Sequence, residues 1–519
     1  MTDSGRERSS LHDMVAPVLI AGAAVVLTVA FHGRYGYFRD ELYYIACSSH
    51  LAFGYVDQPP LSIALLALWR LIAGDSLQAI RFLSSLALGG TVVMTALTAR
   101  RMGGGPFALG LSAFAVVAAH GILGGASIFS MNPIDIFFWI VILYLAVRIL
   151  AGDSQRLWIP LGIAAGLGIM NKYSVGFLCA GLAGGLLLTP HRAHLARRWL
   201  WLGVIASCII VLPHVLWEYA HGFPTLEFMR NASQMKNAPV HPGDFLLGQF
   251  RIMNYCSAPL WLLGLWFFFA HGEGKRFRSL GWMYVIVLAV MMAGNGKLYY
   301  MVAAYPVLFA GGAVALEGLA VRPPWRALRP MAFVLPGCTA AFALPLVLPV
   351  LPVEEFIAYE KYFGLMPKAE ERTAVGDLPQ VYADQFGWEE FVGQVARIYA
   401  TLTPEERSQC VIFVRNYGEA GAVDFFGGRY GLPPALCAHN NYWMWGPGER
   451  TGNVAIIVGH DRGMEDNLRD LRRRYASVEP AGATSCAHCM PYENGRLLFL
   501  CRGMNTTFQA LWPTERFFI

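Results

Sequence analysis

Residues 37–61 read YFRDELYYIACSSHLAFGYVDQPPL and lie between two apolar runs of the chain. Arg39, Asp40 and Glu41 follow closely behind the first run, and Asp57 and Gln58 stand directly before a Pro-Pro pair. Charged side chains are costly inside a bilayer, so a cluster of this kind is expected at the membrane boundary, where it indicates a functional site. The structural alternative is that these residues cap helices or extend their polar ends to the interface.

The composition predicts a membrane protein with a soluble tail. The chain of 519 residues is 55% hydrophobic and only 14% charged, whereas soluble domains average roughly 25% charged residues. Apolar runs dominate up to residue 351, and residues 352–519 resemble an ordinary globular protein. We therefore predict a transmembrane domain over 1–351 and a soluble domain over 352–519. The net charge of +5 forms no basic stripe, which argues against nucleic-acid binding.

The apolar runs predict about eleven transmembrane spans, since roughly twenty apolar residues cross the hydrocarbon core. The first run has spanning length, so we interpret it as an uncleaved helix behind a polar segment that contains Arg6 and Arg8. The run over 158–189 is interrupted by Asn171, Lys172 and Tyr173, which favours two short spans. Spans are expected to start near residues 14, 78, 106, 132, 158, 174, 199, 245, 281, 302 and 331.

Lysine and arginine residues predict the orientation of these spans, because cytoplasmic loops carry an excess of them. With the N-terminus inside, residues 352–519 lie outside, in the periplasm or its equivalent. The predicted outside loops are 34–77, 120–134, 171–173, 218–244 and 294–301. The predicted inside loops are all basic and contain Arg100, Arg101, Arg156, Arg192, Arg197, Arg198, Lys275, Arg276, Arg278, Arg322, Arg326 and Arg329.

Polar clusters distinguish the predicted outside loops. Carboxylates in this position suit a general base or a metal ligand, and cations suit the phosphate of a lipid anchored in the bilayer. Tyr43, Tyr299 and Tyr300 fit either an interfacial aromatic belt or a platform for a sugar. The other outside candidates are Asn132, Asp135, Lys172 and Lys297.

Three motifs carry a family resemblance. An Asp-Glu pair after the first apolar helix, an acidic-x-Pro-Pro-Leu motif and an Asn-Lys pair further along resemble the GT-C glycosyltransferases over residues 14–320. Within that class the chain is similar to glycosyltransferase family 39, which includes protein O-mannosyltransferases and the bacterial aminoarabinose transferases that modify lipid A. The resemblance implies a polytopic α-helical membrane domain of GT-C fold, followed here by a soluble α/β domain.

The resemblance also implies the chemistry. A polyprenyl-phosphate sugar is the donor, and the acceptor is a glycan, lipid or protein outside the inner (plasma) membrane. Asp40 acts as general base in a single inverting displacement, Glu41 supports it, and Asp135 orients the acceptor or Asp40. Arg39, Lys172, Lys297 and Gln58 are the candidates for binding the donor phosphate; Asp57, Tyr43, Tyr299, Tyr300 and Asn132 are the candidates for substrate binding.

Gln58 departs from the pattern, because the aminoarabinose transferases commonly carry a lysine at this position that binds the donor phosphate. Gln58 donates hydrogen bonds without a charge, so another cation is needed and the donor sugar stays open. No cofactor is implied, and a divalent metal is compatible but not required. The alternatives from other classes are a transporter or flippase of lipid-linked sugars and a non-catalytic subunit of envelope assembly.

The tail shows α/β patterning. Residues 410–414 and 454–458 are predicted to be buried strands, residues 464–474 an amphipathic helix, and residues 419–448 a loop region rich in Gly, Pro, Asn and aromatic residues. That loop region either binds the acceptor or is structural. The cysteines of the tail predict one or two disulfides, with a redox pair or half a zinc site at Cys486–Cys489 as the alternative; they are Cys410, Cys437, Cys486, Cys489 and Cys501.

Overall fold

The computed structural model describes residues 12–321, 323–369 and 371–519. Arg6, Arg8 and Arg322, which entered the analysis of topology, lie outside the described residues. The chain forms two compact units. The first contains the segment that ends at Gly33, together with Ala73–Leu216 and Pro239–Val350; the second contains Arg34–Ile72, Trp217–Ala238 and Leu351–Ile519.

The first unit is helical and is built on a large apolar core. Short 3-10 turns connect many of its helices, including Gln155–Leu157, Pro190–Ala196, Tyr255–Ser257 and Leu298–Ala304. Its helices are Val15–Phe31, Leu77–Arg101, Pro106–Ala118, His120–Gly125, Met131–Leu150, Trp158–Asn171, Ser174–Leu187, Arg198–Ala220 (whose last four residues belong to the second unit), Pro242–Ile252, Ala258–Phe269, Arg278–Ala293, Tyr305–Leu319 and Leu328–Val347.

Among the described residues, six helices are long and apolar enough to cross a membrane, or up to eight if two bent helix pairs each form one span. The number is lower than the predicted eleven because several apolar runs form shorter helices, such as Val15–Phe31 and Pro106–Ala118. The run over 158–189 forms two helices that are interrupted at Lys172 and Tyr173, which agrees with the predicted interruption. Neither helix alone is among the six of spanning length, whereas two spans were predicted. A Cβ on Gly162 would lie 2.0 Å from the carbonyl oxygen of Gly203, which shows close helix packing.

The second unit contains a five-stranded mixed sheet. The strands are β1 (Cys410–Val414), β2 (Ala435–Cys437), β3 (Val454–Val458), β4 (Tyr475–Ala483) and β5 (Leu497–Met504). Their order is β2-β1-β3-β5-β4, with β1 parallel to β2 and β3, and with β5 antiparallel to β3 and β4. Both β1 and β3 are buried along their whole length, which confirms the two predicted strands.

Helices from three parts of the chain complete the second unit, which thereby contains two segments from within the predicted domain 1–351. The predicted helix over 464–474 is observed as Met464–Arg472. The helices are Arg39–Ser48, Leu61–Ala73, Pro224–Asn231, Val353–Phe363, Gln380–Ala383, Trp388–Ala400, Pro404–Gln409, Tyr417–Phe426, Asn441–Trp445, Met464–Arg472 and Phe508–Leu511, with one π-helical turn at Ala232–Lys236.

The prediction of a loop region over 419–448 is wrong, because most of the helix Tyr417–Phe426 falls within it. Asn416 begins this helix: its side chain accepts a hydrogen bond from the Glu419 N–H at 2.9 Å, and the Glu419 carboxylate reaches back to the Asn416 N–H. This reciprocal cap stabilises a helix within a stretch whose Gly, Pro, Asn and aromatic residues favour a loop.

All ten cysteines are free thiols, so the expected disulfides are not present. Cys410, Cys437 and Cys501 are buried on strands of the sheet, where they pack as small apolar side chains. Among the described residues, no group of three or more His, Cys, Asp or Glu side chains is placed to hold a metal ion.

Small residues allow the helix Tyr417–Phe426 to pack against the helix Arg39–Ser48. A Cβ on Gly421 would lie 2.9 Å from the backbone of Leu42, and a Cβ on Gly418 would lie 2.4 Å from Cγ of Arg39. The segment after the first apolar helix therefore belongs to the second unit through direct backbone contact with the C-terminal part of the chain.

We predict that Gly421→Ala destabilises the second unit by about 1–3 kcal/mol, because the new methyl group meets backbone atoms that are unable to rotate away. Thermal unfolding of the detergent-solubilised protein measures the loss. Gly428→Ala is the control, since a Cβ there meets nothing within 4 Å. Equal midpoints for the two variants would contradict the packing described here.

Candidate active site

The first candidate group surrounds the N-terminus of the helix Arg39–Ser48 in the second unit. Phe38 is extended, and its N–H donates to the Glu41 carboxylate at 2.8 Å. Glu41 is fully buried. This predicted catalytic residue therefore makes a structural contact, because its carboxylate caps the helix N-terminus.

Asp40 lies in the first turn of the same helix, where the helix dipole favours a negative charge. Its carboxylate is 36% exposed, and its Oδ1 accepts a hydrogen bond from the Tyr417 hydroxyl at 2.9 Å. Nε of Arg39 lies 3.6 Å from the same oxygen. The carboxylate is thus held from one side and remains accessible, which suits a group that receives a proton.

Arg39 is engaged within the second unit. Its Nη2 lies 3.7 Å from the fully buried carboxylate of Asp384, its Nη1 donates to the Tyr492 hydroxyl, and its side chain lies over the ring of Tyr417. The backbone N–H of Arg39 donates to the Asp384 carbonyl oxygen at 3.0 Å. Burial raises the pKa of Asp384, and the neighbouring guanidinium of Arg39 opposes that shift. Arg39 therefore already has an acidic partner, which differs from its predicted role as a cation for the donor phosphate.

Asp57 is the second carboxylate of the first loop and has a tyrosine partner of its own. The Tyr43 hydroxyl donates to Asp57 Oδ1 at 3.0 Å, and the Asn441 N–H donates to the same hydroxyl at 3.3 Å. Asn441 Oδ1 also accepts from the Val56 N–H at 2.6 Å. Burial raises the pKa of Asp57 to about 6, an effect that the Tyr43 hydrogen bond counteracts and the nearby Asp40 charge increases.

The two tyrosines stack on each other and so join the two carboxylates. The rings of Tyr43 and Tyr417 are 4.6 Å apart between centroids, with an angle of 29° between their planes. Both residues are buried. Gln58, which follows Asp57 in the sequence, is buried, and its Nε2 has no hydrogen-bond partner among the described residues. A buried amide without a partner is unusual and suggests that a ligand completes its contacts.

A second candidate group lies in the first unit, around Lys172 at the break between two helices. Nζ of Lys172 donates to Asn132 Oδ1 at 2.7 Å and lies 3.7 Å from Asp135 Oδ2. It also lies 5.5 Å and 5.1 Å from the ring centroids of Tyr299 and Tyr300, within cation–π distance. Five of the predicted site residues are therefore brought together around one ammonium group.

Further hydrogen bonds fix this second group. The Ser174 hydroxyl donates to Asp135 Oδ1 and accepts from Nε1 of Trp139. Asn171 Nδ2 donates to the Met131 carbonyl oxygen at 2.9 Å and so ties the helix break to the start of the helix Met131–Leu150. Lys297, another predicted cation, precedes the turn Leu298–Ala304 that carries the two tyrosines.

Several residues of these groups were not identified from the sequence. Tyr417, Asn441, Asp384 and Tyr492 lie hundreds of residues after the first loop, and Ser174 looked like an ordinary helix residue. The only signal was the concentration of Asn and aromatic residues over 419–448, which was considered for acceptor binding and which contains Asn441.

Comparison with known proteins shows what the sequence and the fold of this chain are similar to. A family model described as dolichyl-phosphate-mannose-protein mannosyltransferase matches residues 57–217. This match, the helical first unit and the C-terminal sheet confirm the resemblance to the GT-C membrane glycosyltransferases and the predicted fold. The chain is a multi-pass membrane protein.

Two individual proteins are similar in sequence to parts of this chain. The chain is 25% identical over 272 residues to lipid A galacturonosyltransferase RgtD from Rhizobium johnstonii, covering 51% of this chain and 56% of that protein. It is 27% identical over 237 residues to undecaprenyl phosphate-α-4-amino-4-deoxy-L-arabinose arabinosyl transferase 2 from Pseudomonas fluorescens, covering 41% and 40%. The chain thus spans about half the length of the first relative and less of the second.

The crystal structure of ArnT from Cupriavidus metallidurans bound to undecaprenyl phosphate is similar over nearly the whole chain. The TM-score is 0.61 with 14% sequence identity, and the match covers 93% of this chain and 97% of that one. The similarity therefore extends the shared fold to the C-terminal sheet, which lies beyond the residues matched by the family model.

The raised pKa of Asp57 leads to a prediction. Between its ordinary value of 3.8 and about 6, the folded protein holds a proton that the unfolded chain releases, so the contribution of Asp57 to stability falls as the pH rises through this range. Asp57→Asn keeps an acceptor for Tyr43 and removes the titration. Its thermal midpoint relative to wild type should therefore increase by a few degrees between pH 4 and pH 7.

The control is Asp377→Asn, at an exposed carboxylate, which should leave the wild-type pH profile of the thermal midpoint unchanged. A difference between Asp57→Asn and wild type that stays constant over the same pH range would show that Asp57 does not titrate as described.

Proposed function

We propose that the protein is a membrane glycosyltransferase that moves a sugar from a polyprenyl-phosphate carrier to an acceptor on the outer side of the inner membrane. The observation that carries this proposal is the Asp40 carboxylate, which is partly exposed at a helix N-terminus and held by the Tyr417 hydroxyl. The similarity to RgtD and to the arabinosyl transferases supports the reaction class.

In the proposed reaction, Asp40 removes the proton from an acceptor hydroxyl. The acceptor oxygen forms a bond to the anomeric carbon while the bond from that carbon to the phosphate oxygen breaks, so the configuration inverts. The electron pair of the broken bond leaves with the polyprenyl phosphate, and the proton stays on Asp40 until it passes to solvent. Tyr417 orients Asp40, and Glu41 keeps the helix N-terminus in place.

The Lys172 group is proposed to bind the donor phosphate. An ammonium group has three N–H donors, and the Lys172 ammonium makes a short hydrogen bond to Asn132 while Asp135 lies farther away, at 3.7 Å. The phosphate gains negative charge as the sugar leaves, so an ammonium at this position binds the departing carrier more strongly than the intact donor. That difference in binding lowers the barrier to transfer.

The names of the relatives suggest which substrates to test. RgtD is named as a lipid A galacturonosyltransferase. The names of the arabinosyl transferases contain undecaprenyl phosphate-α-4-amino-4-deoxy-L-arabinose. We propose a lipid A type of acceptor and an undecaprenyl-phosphate sugar as donor, with the C-terminal residues of the chain on the periplasmic side.

The decisive experiment reconstitutes the full-length protein in vesicles with undecaprenyl-phosphate galacturonic acid or aminoarabinose and with lipid A. The expected result is release of undecaprenyl phosphate together with a matching increase in the mass of lipid A. Movement of the intact labelled donor across the vesicle without cleavage would instead show a transporter. Substrate binding with neither transfer nor movement would point to an assembly subunit.

We predict that Asp40→Asn lowers the transfer rate by at least about 100-fold, since the amide keeps the hydrogen bond from Tyr417 but does not accept a proton. Tyr417→Phe should lower the rate about tenfold, because Asp40 then loses the donor that orients it. Tyr430→Phe, at an exposed tyrosine, is the matched control. Normal membrane levels of all three variants with full activity of Asp40→Asn would exclude Asp40 as the base.

We predict that Lys172→Ala raises the KM for the donor at least about tenfold, because a charged hydrogen bond to phosphate is lost, and that it also lowers kcat, because the lost contact is stronger with the departing phosphate. The single variant also leaves Asp135 without its cation, so the double variant Lys172→Ala with Asp135→Asn separates the two effects. The double variant should recover thermal stability without recovering donor affinity. Lys275→Ala, at an exposed residue, is the control, and unchanged donor affinity in the double variant would remove Lys172 from the proposal.

A further inference from the structure

The second unit contains a cavity of about 270 Å³ that neither candidate group occupies. Arg415 follows directly after β1 and His460 lies two residues after β3, and both line this cavity. The cavity volume approaches that of small-molecule sites, which begin near about 300 Å³. It is larger than the space that one water molecule needs.

The charge of the lining is positive and incompletely balanced. Four arginines and two carboxylates line the cavity. The carboxylate of Asp470 lies 3.1 Å from Arg462, and that of Glu515 lies 2.7 Å from Arg474. The guanidinium of Arg415 has no carboxylate at ion-pair distance among the described residues, and burial lowers its pKa to about 10. A side chain with this pKa is still charged at neutral pH. The carboxylates of Glu419 and Glu515 act on it only from beyond ion-pair distance.

The Tyr475 hydroxyl is a buried donor in the same cavity. The side chain of Tyr475 is only 3% exposed, and its hydroxyl makes no hydrogen bond among the described residues. Buried hydroxyl groups normally have a partner, because leaving one without a hydrogen bond is costly. Tyr475 therefore provides a donor without a partner in the same cavity that Arg415 lines, while Nε of Arg415 is held by the Val458 carbonyl oxygen at 2.7 Å.

The loop between β3 and the helix Met464–Arg472 is fixed around this space. The side chain of Asn467 accepts from the His460 N–H at 2.7 Å and donates to the Arg462 carbonyl oxygen at 2.9 Å. The backbone of the loop is thus fixed by hydrogen bonds before any ligand arrives, which reduces the entropy lost on binding.

We propose that this cavity binds a phosphate group carried on a saccharide. Arg415, Arg474 and Tyr475 reach it from the end of β1 and the beginning of β4, and Arg462 reaches it from the loop. Donors from several directions suit the tetrahedral oxygens of phosphate better than a planar carboxylate. The lining also includes Phe413 and Phe508, whose stacked rings are 5.1 Å apart between centroids and supply apolar surface for the sugar ring.

Calorimetric titration of the full-length protein in detergent tests this proposal with glucose 1-phosphate, glucose and inorganic phosphate as probes. Glucose 1-phosphate should bind more tightly than inorganic phosphate, and glucose should not bind. Arg415→Met and Tyr475→Phe should each weaken the binding of glucose 1-phosphate at least about tenfold. Tyr475→Phe should not lower the thermal midpoint, because the hydroxyl it removes has no partner in the protein.

Two controls make the outcome specific. Arg429→Met changes an exposed arginine of the same unit, and Asp40→Asn changes the proposed base; both should bind glucose 1-phosphate as wild type does. Competition of the probe by a phosphorylated glycolipid in nanodiscs would identify a lipid headgroup as the natural source, and competition only by soluble sugar phosphates would identify a free metabolite. Equal binding of glucose and glucose 1-phosphate, equal binding of inorganic phosphate, or wild-type affinity in Tyr475→Phe and Arg415→Met would overturn the proposal.

Discussion

A carboxylate that is withdrawn from water needs a hydrogen-bond donor, and in the second unit two stacked tyrosines meet that need. Tyr43 donates to Asp57 and Tyr417 donates to Asp40, although Tyr43 belongs to the first loop and Tyr417 to the C-terminal part of the chain. The stack of their rings and the close approach at Gly421 hold these segments together. The acidic loop therefore depends for its conformation on residues more than 370 positions later, and the C-terminal residues are part of the candidate site.

This dependence explains which parts of the fold the sequence predicted. Apolar runs of spanning length indicate which segments lie in a membrane and are helical. The helical first unit and the break at Lys172 were therefore predictable. The strands β1 and β3 were predictable for a related reason, since five consecutive apolar residues bury both faces of a strand. The helix Tyr417–Phe426 was missed because its two glycines at 418 and 421, which read as loop signals, serve helix packing instead.

The residues of the candidate site, like the elements of the fold, were predictable only in part. Charge placed next to apolar runs identified Asp40, Asp57, Asp135 and Lys172, because such residues are rare without a reason. Their partners were not predictable, since a hydrogen bond between Tyr417 and Asp40 leaves no local pattern in the chain. The partner of Arg39 was not predictable either. The charge of Arg39 indicated a role in binding phosphate, whereas the buried Asp384 that balances this charge lies in a segment with no distinguishing motif.

The contacts of Lys172 determine how much of its positive charge is balanced by neighbouring residues. In the first unit its ammonium is already close to Asp135, and a fully balanced ion pair would attract a phosphate only weakly. The contact is loose, at 3.7 Å, while the short hydrogen bond goes to the neutral Asn132. Asp135 in turn accepts from Ser174, so its charge is shared between two partners. The ammonium is therefore held in position by a neutral group and keeps part of its charge. This fits its proposed role as the partner of a phosphate that gains negative charge as the sugar departs.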